Sequence, residues 1–268
     1  MTENVSSDLS VLISVPRAPS RSASLSFQSF WQCVPDVPQT ISRIETRRSM
    51  TQRKDARVGA LLLAAGSSTR MGKNKMLMEI NGETVLRRAA KTAVEASLNP
   101  VVVVTGHECK QAELQLDGLG CLTAFNVDHK NGIQSSVRVG VDALSDKVDA
   151  VLIMLADMPF VTTKMVCDLV NLYRSTDAPL IISRYGGEVQ APPMLYDRKL
   201  FGELRVMRRR CGREVVQRHR NKAKALVWPI EALADIDTPK DFARVLSTID
   251  LSVDSSGEAN VTGSTDET

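Results

Sequence analysis

Between residues 58 and 246 the sequence alternates short, unbroken apolar runs with stretches of helical periodicity, and this alternation leaves the chain few architectures. Residues 58–64 form a continuous apolar run, as expected of a parallel strand buried on both faces. Residues 84–97 place Val85, Leu86, Ala89, Ala90, Ala93 and Val94 on one helical stripe, with Thr84 set to cap it. Asn99-Pro100 then breaks the chain before a second buried strand at 101–105. The same reading gives a short helix at 110–116, strands at 121–125 and 150–155, and a helix at 133–144 between those strands. A helix from Thr162 to about residue 174 follows, then a strand at 180–183, helices at 197–205 and 213–219, a late strand at 225–229 and a final helix at 239–246. Such βαβ repetition predicts one α/β domain over 58–248, a single doubly wound, mostly parallel sheet with helices on both faces.

Composition narrows the function. Aromatics are only 4% of the residues, so the core must rest on Val, Leu, Ile, Ala and Met. The formal net charge of +3 sits entirely in residues 1–57, which hold eight Arg and Lys against five Asp and Glu. A neutral body with a basic extension gives no reason to expect nucleic acid as a partner. The five cysteines show no C-x-x-C spacing, and the three histidines do not pair at ligand spacing, which argues against zinc. No apolar run approaches the roughly 18 residues that span a bilayer. These features predict a soluble cytoplasmic protein with no membrane partner. Residues 1–57 read as a disordered basic extension, and Met50, just ahead of the first strand, is an alternative start; residues 249–268 read as a disordered acidic tail.

Chemistry concentrates where strands end. The first strand runs into Leu63-Ala64-Ala65-Gly66-Ser67-Ser68-Thr69-Arg70-Met71-Gly72, followed by Lys73-Asn74-Lys75. A loop of small residues there lets backbone N–H groups approach a phosphate, and in an open α/β sheet it lies at the carboxyl edge where ligands bind. It fits neither G-x-x-x-x-G-K-[ST] nor G-x-G-x-x-G. It offers a floor for a base, backbone donors, and two cations, Arg70 and Lys75, for a triphosphate; an ordinary turn with solvent-facing charges is the bland alternative. Asp157 directly follows the strand at 150–155, which brings its carboxylate to the same edge, and Pro159 stops that strand from continuing. Nucleotidyl transfer needs a divalent cation bridging phosphates, and Mg²⁺ takes hard oxygen ligands from one or two carboxylates. Asp237 is the natural second ligand, although it could instead cap the helix that begins at Pro239, and Asp235 competes for the same role.

Taken together, Leu63 to Gly66, Arg70-Met71-Gly72 and Lys75 resemble the nucleotidyltransferases with a sugar-nucleotide-transferase fold, and among them the molybdenum-cofactor cytidylyltransferases. The likeness extends through Val102-Val103-Val104-Thr105-Gly106-His107, Asn126 with Gly132 and Ser135-Ser136, Leu155-Ala156-Asp157-Met158-Pro159, and Asp235 to Asp241, and so covers residues 58–246. It implies Arg70, Lys75 and Asp157 as catalytic residues and Asp157 and Asp237 as ligands of Mg²⁺. It implies a nucleotide site from Leu63, Ala64, Ala65, Gly66, Thr105, Gly106, Asn126, Ser135 and Ser136. The Ala64-Ala65-Gly66 form resembles the cytidylyl enzymes, whose guanylyl relatives tend to carry two glycines there. The implied substrates are CTP and a molybdopterin-type cofactor, with a molybdenum hydroxylase apoenzyme as downstream partner. Two departures bear on the acceptor: Gln190-Ala191-Pro192-Pro193 stands where many relatives have Gly-His-Pro, and the cationic run Arg208-Arg209-Arg210 stands where they carry acid. Transfer to a sugar or polyol phosphate is therefore a rival, as is a non-catalytic carrier of the cofactor. If Met50 is the working start, a chain lacking residues 1–49 has the same kcat and KM as the full chain; a loss of activity on that truncation would assign the extension a role.

Overall fold

The computed structural model describes residues 53–257 apart from 69, 145 and 208–211. In chain order the elements are β1 (Val58–Leu63), a small hairpin of β2 (Glu79–Ile80) and β3 (Glu83–Thr84), α1 (Val85–Glu95), β4 (Val101–Thr105), α2 (Cys109–Gln115), β5 (Leu122–Phe125), α3 (Ile133–Leu144), β6 (Ala150–Leu155), α4 (Thr163–Arg174), β7 (Leu180–Tyr185), β8 (Val189–Asp197), α5 (Phe201–Val206), α6 (Arg213–His219), β9 (Lys224–Trp228) and α7 (Pro239–Gly257). Seven strands form one sheet in the order β5-β4-β1-β6-β8-β7-β9. All its neighbours pair parallel except β8, which is antiparallel to both β6 and β7. Every residue of β1, β4, β6 and β7 is buried. Since successive side chains point to opposite faces, both faces of the sheet are covered, which is why these strands read as unbroken apolar runs.

Local signals in the sequence account for most boundaries. The Thr84 hydroxyl accepts from the Arg87 N–H and the Thr162 hydroxyl from the Met165 N–H, so each caps the helix it precedes. At Asn81-Gly82 both residues take positive φ, 53° and 77°, and close the β2–β3 hairpin, a turn the sequence reading passed over.

Three readings are corrected. The stretch at 189–197 is β8, a nine-residue buried strand that the sequence reading missed. Prolines 192 and 193 lack the N–H of a regular ladder, and the strand accommodates them where its register with β7 shifts, between the Ile181 and Ser183 pairs. The helix expected over 197–205 begins later for the same reason: Asp197 belongs to β8, and its carboxylate accepts from the Lys199 N–H to start the turn that leads into α5. The last helix, expected over 239–246, runs to Gly257. The extension at 1–52, the Arg208–Arg210 run and residues 258–268 lie outside the described residues.

A large core fills both sides of the sheet, and a second, smaller one lies at its carboxyl edge. The small core joins Met71, Met78, Ile80, Val85, Ile236, Val245 and Ile249, with Phe160 and Phe242 packed against it. Among the described residues no helix is long and apolar enough to cross a membrane. Where α3 crosses β1 the helix comes so close that a Cβ on Gly140 would lie 2.0 Å from Leu61 Cδ1. Gly140→Ala should therefore lower stability by about 1–3 kcal/mol, read as a lower urea midpoint. In the same assay Gly202→Ala, with open space around it, should be neutral or gain up to about 1 kcal/mol.

Candidate active site at the carboxyl edge

Three chain segments meet where β1 and β6 end. After β1 the backbone passes through Ala64 and Ala65, both buried, to exposed Gly66, and the Ala64 N–H stays bonded to the Val104 carbonyl. The loop then folds back on itself. Ser68 adopts a positive φ of 50°, its carbonyl accepts from the Met71 N–H, and its hydroxyl accepts from the Lys75 N–H. Gly72 also takes a positive φ, 69°, a conformation that favours glycine. Asn74 caps the short turn at Lys75–Leu77 by accepting from the Met76 N–H. The outcome is a Lys75 side chain turned inward, 9% exposed for the whole residue.

The Lys75 ammonium bridges two carboxylates, at 2.5 Å from Asp157 Oδ2 and 3.1 Å from Asp237 Oδ1. Asp237 Oδ2 in turn lies 2.8 Å from the Arg70 guanidinium, which is partly exposed. All four sequence-predicted charged residues are thus in one contact network. Burial alone would lower the Lys75 pKa, but Asp157 and then Asp237 more than offset this and hold it above the ordinary lysine value. Asp237 is not used as a helix cap. Thr238 takes that role, exchanging hydrogen bonds with Asp241: the Thr238 N–H and hydroxyl donate to Asp241 Oδ2, and the Asp241 N–H donates back to Thr238 Oγ1. The Ile236 N–H donates to the Asp157 carbonyl, tying the two acid-bearing segments directly.

Asp235 is the carboxylate the sequence left unresolved. It is buried, its Oδ2 has no hydrogen-bond partner, and burial followed by the charges of Asp237 and Asp157 pushes its pKa up to about 6. The two acids therefore differ in kind: Asp237 is ion-paired with both Lys75 and Arg70, while Asp235 is buried with one carboxylate oxygen lacking a hydrogen bond. Among the described residues no three His, Cys, Asp or Glu side chains form a ready-made metal cage. Carboxylate oxygens now shared with one ammonium, together with an orphaned buried carboxylate oxygen, nevertheless suit a hard divalent cation. Mg²⁺ commonly takes one or two carboxylates and completes its shell with water and substrate phosphate.

The remaining predicted residues divide into two groups. Leu63 is inside the β1–β6 ladder, and Thr105 is fully buried with an unpartnered hydroxyl at the end of β4. A Cβ on Gly106 would lie 2.8 Å from the Ala65 carbonyl and 2.7 Å from His129 Cβ, so only glycine permits that approach of the two loops. Asn126, Ser135 and Ser136 form a closed buried network: the Asn126 amide donates to both hydroxyls at 2.8 and 2.9 Å and accepts from the Asp128 N–H, while Ser135 donates to the Gly132 and Asp128 carbonyls. These three hold the entry to α3 together. His107 is exposed and enters none of these contacts.

The MobA-like NTP transferase domain family matches residues 60–223. The bifunctional protein GlmU of Pelobacter propionicus is 30% identical over 127 residues, 47% of this chain and 28% of that protein. The bifunctional enzyme IspD/IspF of an Anaeromyxobacter species is 38% identical over 111 residues, 41% of this chain and again 28% of that protein. The chain thus aligns with little more than a quarter of the curated relatives' length. A nucleotidyl transferase from Methanothermobacter has the same fold, with a TM-score of 0.66 at 19% identity, covering 74% of this chain and 99% of that one.

The raised pKa of Asp235 has a sign that can be measured. An acid whose folded pKa exceeds its unfolded value weakens the fold above that folded pKa, and the penalty fades as the pH falls toward the unfolded value. In metal-free buffer Asp235→Asn should be more stable than the parent at pH 8, by about 1–3 kcal/mol. The gap should close between about pH 6 and pH 4. Urea midpoints across that range check it, and a pH-independent gap would exclude a buried, charge-repelled carboxyl.

Proposed function

Because this chain belongs to the MobA-like NTP transferase domain family, we propose that it transfers CMP from CTP to a molybdopterin-type cofactor, releasing pyrophosphate and leaving the cytosine dinucleotide form of the cofactor. The observation that carries this reading is the Lys75 bridge between Asp157 and Asp237, with Arg70 alongside, over the small-residue loop after β1. A phosphate oxygen of the acceptor attacks the α-phosphorus of CTP, the bond from that phosphorus to the α,β-bridging oxygen breaks, and pyrophosphate carries away the electron pair. The nucleophile is already anionic, so no strong general base is required, and the work is positioning and charge stabilisation.

Each residue has a place in that chemistry. Ala64, Ala65 and Gly66 give a floor without bulky side chains, where backbone N–H groups can reach the nucleotide. Lys75 and Arg70 transfer part of their charge from the carboxylates to the β- and γ-phosphates as the leaving group develops. Asp157 and Asp237 would hold Mg²⁺, which when bound supplies Lewis-acid neutralisation of the phosphates. Thr105 and Gly106 would border the nucleotide, and Asn126, Ser135 and Ser136 would fix the segment facing its base. The alanine pair at 64 and 65 supports CTP. A molybdenum hydroxylase apoenzyme is the natural recipient of the product.

Transfer to a sugar or polyol phosphate is the second reading, favoured by the likeness to the IspD/IspF and GlmU proteins. A pyrophosphate-release assay with CTP, GTP and ATP, each with molybdopterin, a sugar phosphate or a polyol phosphate, separates the two. Turnover is expected with CTP, Mg²⁺ and molybdopterin together. Tight cofactor binding with no turnover of any nucleotide would make the protein a carrier instead. Asp157→Ala should abolish Mg²⁺-dependent turnover in a folded protein, and Lys75→Ala should reduce kcat by about 10²–10³. Retained activity in Asp157→Ala would remove that residue from the metal site.

A further inference from the structure

The sheet has a bare edge at β5. Leu122 is 45% exposed, Phe125 56% and Val127 77%, and with Leu114 of α2 at 72% they are four of the seven large apolar side chains exposed among the described residues. Among the described strands β5 pairs only with β4, so its outer row of backbone N–H and C=O groups has no ladder partner. Edge strands are usually blunted by lysine, proline, a bulge or a covering element. Leu122–Phe125 carries neither lysine nor proline, and its parallel register with β4 runs without a shift. Beside it, α2 and the start of β5 frame an open groove of about 800 Å³.

The charge order along that groove says what fits it. Lys110, Glu113, Leu114 and Asp117 line it together, at i, i+3, i+4 and i+7, so they share one side of α2 and its exit. Lys110, Glu113 and Asp117 are exposed, and none forms an ion pair with another described residue. A stripe that runs from basic at one end to acidic at the other complements a reversed copy of itself, and a two-fold axis supplies that reversal. We propose that β5 and α2 form an isologous interface between two copies of this chain. The two β5 strands add edge to edge, antiparallel, into one continuous sheet. The two α2 helices then lie antiparallel on the same face, with Leu114 near the axis and Lys110 against Asp117 of the partner subunit. This interface does not depend on which nucleotide or acceptor the site uses.

Sedimentation velocity on the full chain over a hundredfold range of concentration tests it. The expected result is a reversible monomer–dimer equilibrium. Leu114→Lys/Leu122→Lys should stay monomeric throughout, with unchanged circular dichroism and unfolding midpoint. Lys110→Asp and Asp117→Lys each act twice in a two-fold interface and should raise the dissociation constant about tenfold. The double reversal Lys110→Asp/Asp117→Lys should bring it back to within about threefold of the parent. A parent chain that is monomeric at every concentration, a dimer that survives the lysine pair, or a double reversal no better than the singles overturns the proposal. If the lysine pair fails to fold, amide exchange over residues 122–125 of the unaltered chain decides. Protection that rises with concentration supports the dimer, and protection independent of concentration overturns it. Protection that vanishes on removal of residues 1–49 would instead make the chain's own leading segment the occupant.

Discussion

The contact on which the site depends is one buried ammonium between two carboxylates. Lys75 lies 2.5 Å from Asp157 and 3.1 Å from Asp237, and these three residues come from segments that are remote in sequence. Two acids this close to a third, Asp235, would repel one another without a cation among them. Lys75 and Arg70 supply that charge and keep the carboxylates paired.

The small second core holds that contact in place. Met71 belongs to the loop after β1, Phe160 follows Asp157 by three residues, and Ile236 stands between Asp235 and Asp237. Each site segment therefore drives one apolar side chain into the same cluster, which the β2–β3 hairpin and α7 complete. Burying these side chains together aligns the polar atoms between them, so the precision of the site is set by packing. The hairpin has no charged residue in the network and yet supplies Ile80 to the cluster that positions it.

Much of the sheet was legible because parallel strands buried on both faces leave unbroken apolar runs. The runs at 101–105 and 150–155 coincide with β4 and β6, and the periodic stretches at 133–144 and 213–219 coincide with α3 and α6. β8 was illegible because Pro192 and Pro193 argue against any strand, and only the neighbours β6 and β7 show how the ladder passes them. The hairpin had a readable Asn81-Gly82 turn, but two-residue strands leave no periodicity to detect. The four residues of the charged network, Arg70, Lys75, Asp157 and Asp237, stand out in the sequence by their places at strand and loop ends, but their contacts with one another do not. The closed bonding of Asn126 with Ser135 and Ser136 was not legible either, because it depends on where β5 delivers one residue against the start of α3.

The sequence alone determined the α/β class, the order of most strands and helices, and the residue types gathered where strands end, because apolar periodicity and small-residue loops are local properties. Only the tertiary structure gives Asp235 and Asp237 different surroundings. Both precede the same helix and carry the same group, and nothing local distinguishes them. The fold does, by giving one of them two cationic partners and burying an oxygen of the other with none. It also assigned the helix cap to Thr238, so that the Asp237 carboxylate pairs with Lys75 and Arg70 instead. Partnership across long sequence separation is a property of packing, and packing is what the linear pattern does not record.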